Sequence, residues 1–231
     1  MTPTRPTLLV VTGLQREAQI AAGDDVITLC SGGNSRTLTG LLTSLPPPTG
    51  GVLSFGLGGG LAPGLRSGDL VIGSHVANFG EPLETDRNWH ARIVSAIEGK
   101  RPVHLGQLAA RDFVLTRAAD KAALHRESGA LAVDMESHVA DEYARRHGLP
   151  FAVIRAVSDP AHRSLPAIAT DALRPDGKVD LSKVLAGVLR RPGQIPALIS
   201  AGIDSERAFA SLRRVRRLLG PLLGLSGADF R

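Results

Sequence analysis

Phe151-Ala152-Val153-Ile154-Arg155-Ala156-Val157, between Pro150 and Ser158-Asp159-Pro160, is the stretch that decides the fold. A nearly continuous apolar run interrupted by one Arg reads as a strand covered on both faces, because a strand with one wet face would alternate. Just upstream, Met135–His147 reads as a helix. Met135, Val139 and Tyr143 recur there at a four-residue spacing, and Gly148-Leu149-Pro150 closes it. Further upstream, strand-like runs occupy Thr7–Thr12, Val26–Cys30, Gly51–Phe55 and Leu70–Ser74, with short candidates at His104–Leu108 and Phe113–Leu115. Helical patterns separate them. One is capped by Asn34 or Ser35 and runs to Leu45 before Pro46-Pro47-Pro48; others cover Arg87–Ile97 and Ala118–Glu127. Strands alternating with helices predict an α/β domain with three αβα layers and a central mixed, largely parallel sheet. After Leu165 the pattern turns helical and basic. The expected division is a catalytic domain over 1–200 and a basic helical extension over 201–231.

The chain has 231 residues, enough for one large domain, with 43% apolar and 21% charged residues. Aromatics are only 3%, so Leu, Val, Ile and Ala must fill the core. The single Cys30 excludes an internal disulfide and fits a reducing, cytoplasmic setting; a packed thiol is favoured over a nucleophile. No apolar run is long enough to span a bilayer, and the N-terminal stretch lacks a signal-type apolar core and cleavage site. Net charge is +5, and residues 187–217, with seven arginines against Asp204 and Glu206, carry all of it. That points to an anionic partner or to a solvated helix face.

In open α/β sheets ligands bind beyond the carboxyl ends of strands. Glu17, the glycines from Gly56 to Gly60, Asp112, Asp134, Glu136, Ser158 and Asp159 are therefore the candidates. Gly56-Leu57-Gly58-Gly59-Gly60 is neither a dinucleotide fingerprint nor a phosphate-binding loop. It is expected to be a ligand-facing loop rather than a packing turn. Asp159, after a buried strand, is desolvated, which raises a carboxyl pKa and suits a general acid; a turn or cap aspartate is the competing reading. Glu136, at a helix start, can accept two hydroxyls of a ribose diol, or can simply be a first-turn acid. The histidines have no metal-ligand spacing, and no metal or other cofactor is expected.

Taken together, four segments resemble the nucleoside phosphorylase and methylthioadenosine/adenosylhomocysteine nucleosidase superfamily. They are Thr12-Gly13-Leu14-Gln15-Arg16-Glu17, then Gly56–Pro63 continuing through Gly68-Asp69-Leu70-Val71, then Ala132-Val133-Asp134-Met135-Glu136-Ser137, and Pro150–Asp159. A narrower resemblance, to the hopanoid-associated branch that removes adenine from adenosylhopane, rests on Ser31-Gly32-Gly33-Asn34, Asp134–His138, Arg174-Pro175-Asp176-Gly177-Lys178 and Arg190-Arg191-Pro192-Gly193-Gln194. The resemblance implies that Asp159 protonates purine N7 and that Glu17 activates the attacking water. It puts Glu136 and Met135 on the ribose. Gly58, Gly59, Phe113, Val114, Val133 and Ser158 go to the base, and the assembly is a homodimer. Leu57 stands where relatives often carry a small hydroxyl residue, and Asp134 replaces a Glu. The first departure favours hydrolysis over phosphorolysis, since a phosphate pocket recruits hydroxyl and arginine donors.

Three rival readings remain. One is phosphorolysis of the same purine nucleoside, with phosphate as co-substrate held by Arg16, Arg36 or Arg66. Another is a non-catalytic nucleoside or lipid-nucleoside binder. The third, nucleic-acid binding, is disfavoured because Phe209 is the lone aromatic of the basic window. A lipid-linked, 5′-substituted adenosine would reside in a membrane. Ser205–Leu219 is accordingly expected as a helix whose stripe of Phe209, Leu212, Val215 and Leu219 lies in the anionic inner-membrane interface, extended by Leu222, Leu223 and Leu225. Packing of that stripe on the domain is the alternative.

Overall fold

The structure, a computed structural model, describes residues 7–48, 50–78, 82–100, 102–166, 168, 174, 176–178 and 180–226. Pro175 and residues 227–231, which enter the readings above, lie outside this set. The elements are β1 (Leu8–Thr12), α1 (Gln15–Ala21), β2 (Val26–Cys30), α2 (Ser35–Thr43), β3 (Gly51–Gly60), β4 (Leu70–Ala77), β5 (Leu83–Glu84) and α3 (Arg87–Ile97). They continue as β6 (Val103–Ala110), α4 (Ala118–Ser128), β7 (Ala132–Asp134), α5 (Ser137–Arg146), β8 (Phe151–Asp159), α6 (Leu181–Arg190) and α7 (Ile195–Leu218). Asn34 caps α2 by accepting the Thr37 N–H at 3.0 Å. Phe113–Leu115, a strand candidate, forms no strand, and the three-residue β7 was not expected.

The sheet is mixed. Parallel pairs join β1 to β2, β1 to β3, β3 to β8, β4 to β6 and β6 to β7; β3–β7, β4–β5 and β4–β8 are antiparallel. Because β8 pairs with both β3 and β4, the strands β3, β7, β6, β4 and β8 close into a ring, with β1 and β2 on one flank. Closure puts β8 inside the sheet, which is why its run is apolar on both sides. Alternate residues then feed two cores. Leu8, Val10, Leu53, Phe55, Ile72 and Ile154 face α3 and α7, while Leu9, Val11, Val52, Val71, Val153 and Val157 face α2 and α5.

β3 changes partners along one edge. β1 pairs with it from Gly51 to Ser54, and β7 only from Gly59 to Gly60. Between these, Phe55–Gly58 has no strand on that side, and the polar groups there are open to side chains. The glycine segment is therefore strand rather than the loop expected of it. Near its end the β3–β8 register shifts at Gly58/Gly59, with Gly58 opposite Val157 and Gly59 opposite Asp159. Ser158 is the extra residue of this bulge.

The C-terminal helix differs most from expectation. It begins at Ile195 rather than Ser205, so a boundary at residue 200 falls inside it. The stripe expected in a membrane interface is core: Phe209, Leu212, Val215 and Leu219 are buried, as are Leu223 and Leu225, with Leu222 partly buried. Trp89 Nε1 donates to Leu223 O at 3.0 Å, and Arg92 Nε to Gly224 O at 3.0 Å, tying the chain after α7 to α3. Apolar area that the body of the domain can bury is not left for lipid. Leu212→Ala should cost about 2–5 kcal/mol, read as a lower urea midpoint at unchanged slope. An unaffected midpoint would mean that α7 is not part of the core.

Candidate active site

Glu17 sits in the first turn of α1 and is 2% exposed. Its Oε2 accepts the backbone N–H of Gly13 at 2.9 Å and of Leu14 at 2.8 Å. Its Oε1 accepts the Leu57 N–H at 2.7 Å, one of the amides on the strand-free edge of β3. A Cβ at position 56 would lie 2.7 Å from the Glu17 carboxyl carbon. Gly56 is thus required for close approach, not for backbone conformation, since it has no positive φ. Gly13 has a matching role, because its Cβ would lie 2.8 Å from Glu136 Oε1.

Asp134, Glu136 and Arg155 complete this end of the site, all buried. Arg155 Nε donates to Asp134 Oδ2 at 2.9 Å, and its NH2 to Ser54 Oγ at 2.6 Å; Glu136 Oε2 lies 3.7 Å from the same NH2. Asp134 Oδ1 also accepts the Ser137 N–H at 2.8 Å and the Glu136 N–H at 3.0 Å, so it fixes the start of α5. Ser31 Oγ donates to Glu136 Oε1 at 3.0 Å. Asp134 and Glu136 thus pair with one guanidinium, and Glu17 lies within its field without touching it. Burial pushes Asp134 up, but Arg155 and the Ser137 donors outweigh it and hold that carboxyl below the usual range. Glu136 is raised, by burial first and with Asp134 adding to it against Arg155. Glu17 is raised to about 7 by burial and by the Glu136 charge, against its backbone donors.

Asp159, at the end of β8, is also buried. Lys121, fully buried on α4, donates to its Oδ2, and also to the carbonyl oxygens of Arg163 at 3.0 Å, Pro160 at 3.2 Å and Asp159 itself at 3.3 Å. Ser158 Oγ donates to Oδ1 at 2.5 Å. Burial raises the Asp159 pKa, with Lys121 and Ser158 opposing. A Cβ on Gly59 would lie 3.3 Å from Oδ2, so the carboxyl rests against β3. The bulge at Ser158 lets two sequence neighbours face one cavity.

That cavity, about 880 Å³, is lined by Glu17, Gly58, Gly59, Phe113, Val114, Val133, Asp134, Met135, Glu136, Ser158 and Asp159, but not by Gly56 or Gly60 of the glycine segment. It lies toward the top of the range for small-molecule sites, about 300–1,000 Å³. Phe113 and Val114 are exposed at its edge. Asp112 does not join them; it is exposed and meets His138 Nε2 at 3.2 Å. Of the three arginines considered for phosphate, Arg16 alone lines the cavity, and it is committed to Glu206 and stacked on Phe209 at 4.1 Å. Lys121 was not anticipated, since a lysine in a polar helix reads as solvated. Arg155 was noticed as the interruption of an apolar run, without a role. Cys30 is half-buried, with Sγ against the Gly13 and Asp176 carbonyls, and burial raises its pKa, so it is a packed thiol. Gly177 and Lys178 also border the cavity, and Gly177 O accepts the Gln15 N–H at 3.1 Å.

The family model of the phosphorylase superfamily matches residues 48–190. The chain belongs to that superfamily. Among solved structures it resembles 5′-methylthioadenosine/S-adenosylhomocysteine nucleosidase from Neisseria meningitidis in complex with methylthio-immucillin-A, at 18% identity and TM-score 0.67, over 93% of this chain and 98% of that one. It also resembles the futalosine hydrolase of Helicobacter pylori, at 17% identity and TM-score 0.66, over 94% of this chain and 97% of that one. At these identities the likeness shows the fold. A comparison with curated proteins finds no match.

The pH profile should report both carboxyl centres. If Glu17 acts as a base, kcat/KM should rise with pH through an apparent pKa of about 7. An acid at Asp159 supplies the alkaline limb. Removing a buried cation raises the pKa of the carboxyl beside it, so Lys121→Met should move that limb to higher pH. A purely structural lysine would lower the melting temperature and leave the limb in place.

Proposed function

We propose that this chain is a purine nucleosidase that hydrolyses the N-glycosidic bond of a 5′-substituted adenosine, with adenosylhopane as substrate. The observation that carries the reading is the buried grouping of Glu17, Asp134 and Glu136 around Arg155, with Asp159 a short way along the same strand. Glu17 touches β3 at Gly56 and Leu57, and Asp159 touches it at Gly59. Those contact points lie two to three residues apart, about 7–10 Å along the strand.

In the proposed reaction, Glu17 takes a proton from water as its oxygen attacks C1′. The C1′–N9 bond breaks with its electrons passing to the purine, and Asp159 delivers a proton to N7. Lys121 then holds the carboxylate that Asp159 becomes. Glu136, oriented by Ser31, accepts the ribose hydroxyls. The ribosyl group is cationic as the bond breaks, and three carboxylates against one guanidinium favour a cation there. The same excess disfavours a phosphate dianion, as does the engagement of Arg16 by Glu206, and this supports hydrolysis over phosphorolysis. The reading of the substrate's 5′ group is supported by the hopanoid-type sequence segments and by an apolar part of the cavity from Leu165, Val184, Leu198 and Phe209.

Adenine release from adenosylhopane should proceed in phosphate-free buffer at a rate that added phosphate does not change, followed by mass spectrometry of both products. Asp159→Asn should lower kcat by about 10²–10⁴-fold. Strict dependence on phosphate, with a ribose 1-phosphate product, would place the enzyme among the phosphorylases instead.

A further inference from the structure

Seven of the nine large apolar side chains that are exposed among the described residues belong to segments that contribute residues to the cavity lining. Phe113 and Val114 line the cavity and also face solvent. The other five lie on α6 and on the N-terminal half of α7. Leu185 and Leu189 form a stripe on α6, 62% and 76% exposed, one turn apart. Ile195, Ile199 and Ile203 form a stripe on α7 at a four-residue spacing. Each stripe flanks the rim. Val184 lines the cavity beside exposed Leu185, and Leu198 and Gly202 line it beside exposed Ile199 and Ile203.

The charge on this segment is one-sided. Residues 181–203 contain Lys183, Arg190 and Arg191 and no carboxylate. An isologous contact with a second copy would set one basic segment against another, with no carboxylate of residues 181–203 to offset the charge. An anionic surface would instead be matched, because basic residues near it are attracted to the headgroups. Apolar stripes beside cations are also the composition of a helix lying in a bilayer interface.

We propose that the exposed stripes of α6 and α7, with Phe113 and Val114, dock the protein on an anionic lipid bilayer with the cavity mouth toward the acyl layer. The docking face is thus upstream of the buried Phe209–Leu219 stripe. A substrate with an apolar 5′ group passes from bilayer to cavity without crossing water; this purpose rests on the nucleosidase reading above, but the docking itself does not.

The test is sedimentation of the full-length protein with phosphatidylcholine vesicles, with and without phosphatidylglycerol, in the absence of substrate. The protein should bind the phosphatidylglycerol vesicles and release as salt rises. Leu189→Glu and Ile199→Glu should each weaken binding about tenfold or more. Leu105→Glu, at an exposed apolar site outside the rim, should not. All three variants should still release adenine from soluble 5′-methylthioadenosine at the wild-type rate, which excludes misfolding. Wild-type protein that ignores phosphatidylglycerol vesicles at low salt overturns the proposal, as does an equal loss in Leu105→Glu. A switch from dimer to monomer in Leu189→Glu, without vesicle binding by the wild type, assigns the face to a second copy. Vesicle binding without any adenine release would refute the nucleosidase reading and leave the docking standing.

Discussion

Taking a carboxylate out of water costs several kcal/mol unless a cation and hydrogen bonds replace its hydration. Around Arg155 the molecule meets that cost for Asp134, fully paired, and only in part for Glu136 and Glu17. The surplus negative charge follows from placing one guanidinium among three acids. Burial first, with the neighbouring carboxylate adding to it, raises two of the three pKa values, and the surplus makes this end of the cavity a place where a cation is stabilised. Replacing Arg155 would leave the acids unpaired, and replacing any acid would leave less charge for a cationic ribosyl group. The architecture of β8 serves this arrangement, since a strand inside a closed ring can hold an arginine where no water reaches it.

The partner change on β3 supplies the other half of the site. Where β1 ends and β7 has not yet begun, a backbone amide that a neighbouring strand would ordinarily engage binds Glu17 instead. Glycines at 56 and 59 let two carboxyl groups lie directly on that strand. The bulge at Ser158 then sets Asp159 against it from the other side. Glu17 is thus held by backbone amides, and Asp159 by the side chains of Lys121 and Ser158, both on regular elements that fix them more closely than loops would.

Much of this was legible in the residues, and the reasons for the remainder are physical. β8 could be read from its apolar run, and α5 from the four-residue spacing of Met135, Val139 and Tyr143, because burial on two faces and burial on one leave different patterns. The glycines misled because glycine is a poor strand former, whereas here the strand needs the space that a Cβ would fill. β7 has three residues, too few for any period. Lys121 could not be told from a solvated lysine, since its burial depends on where α4 meets β8. Ring closure depends on β8 pairing with both β3 and β4, and no local pattern encodes that. α7 was half read. Its C-terminal stripe was recognised as apolar, with a membrane and the domain itself as alternative covers, because a sequence shows that a face is apolar and not what covers it; the domain covers it. Of the candidate acids found by position after strands, Glu17, Asp134, Glu136 and Asp159 line one cavity and Asp112 does not; the base-side residues, which came from the resemblance and not from position, line the same cavity.

The central claim is that this cavity is built to stabilise a cationic ribosyl group. Calorimetry on two matched ligands tests it: a 5′-thio-substituted adenosine analogue whose ribose is replaced by a protonated nitrogen ring, and the same analogue with a neutral ring. The account predicts that the cation binds at least about 100-fold more tightly, the lower end for transition-state analogues, and that Glu136→Gln removes most of the difference. Equal affinities for the two ligands would contradict it.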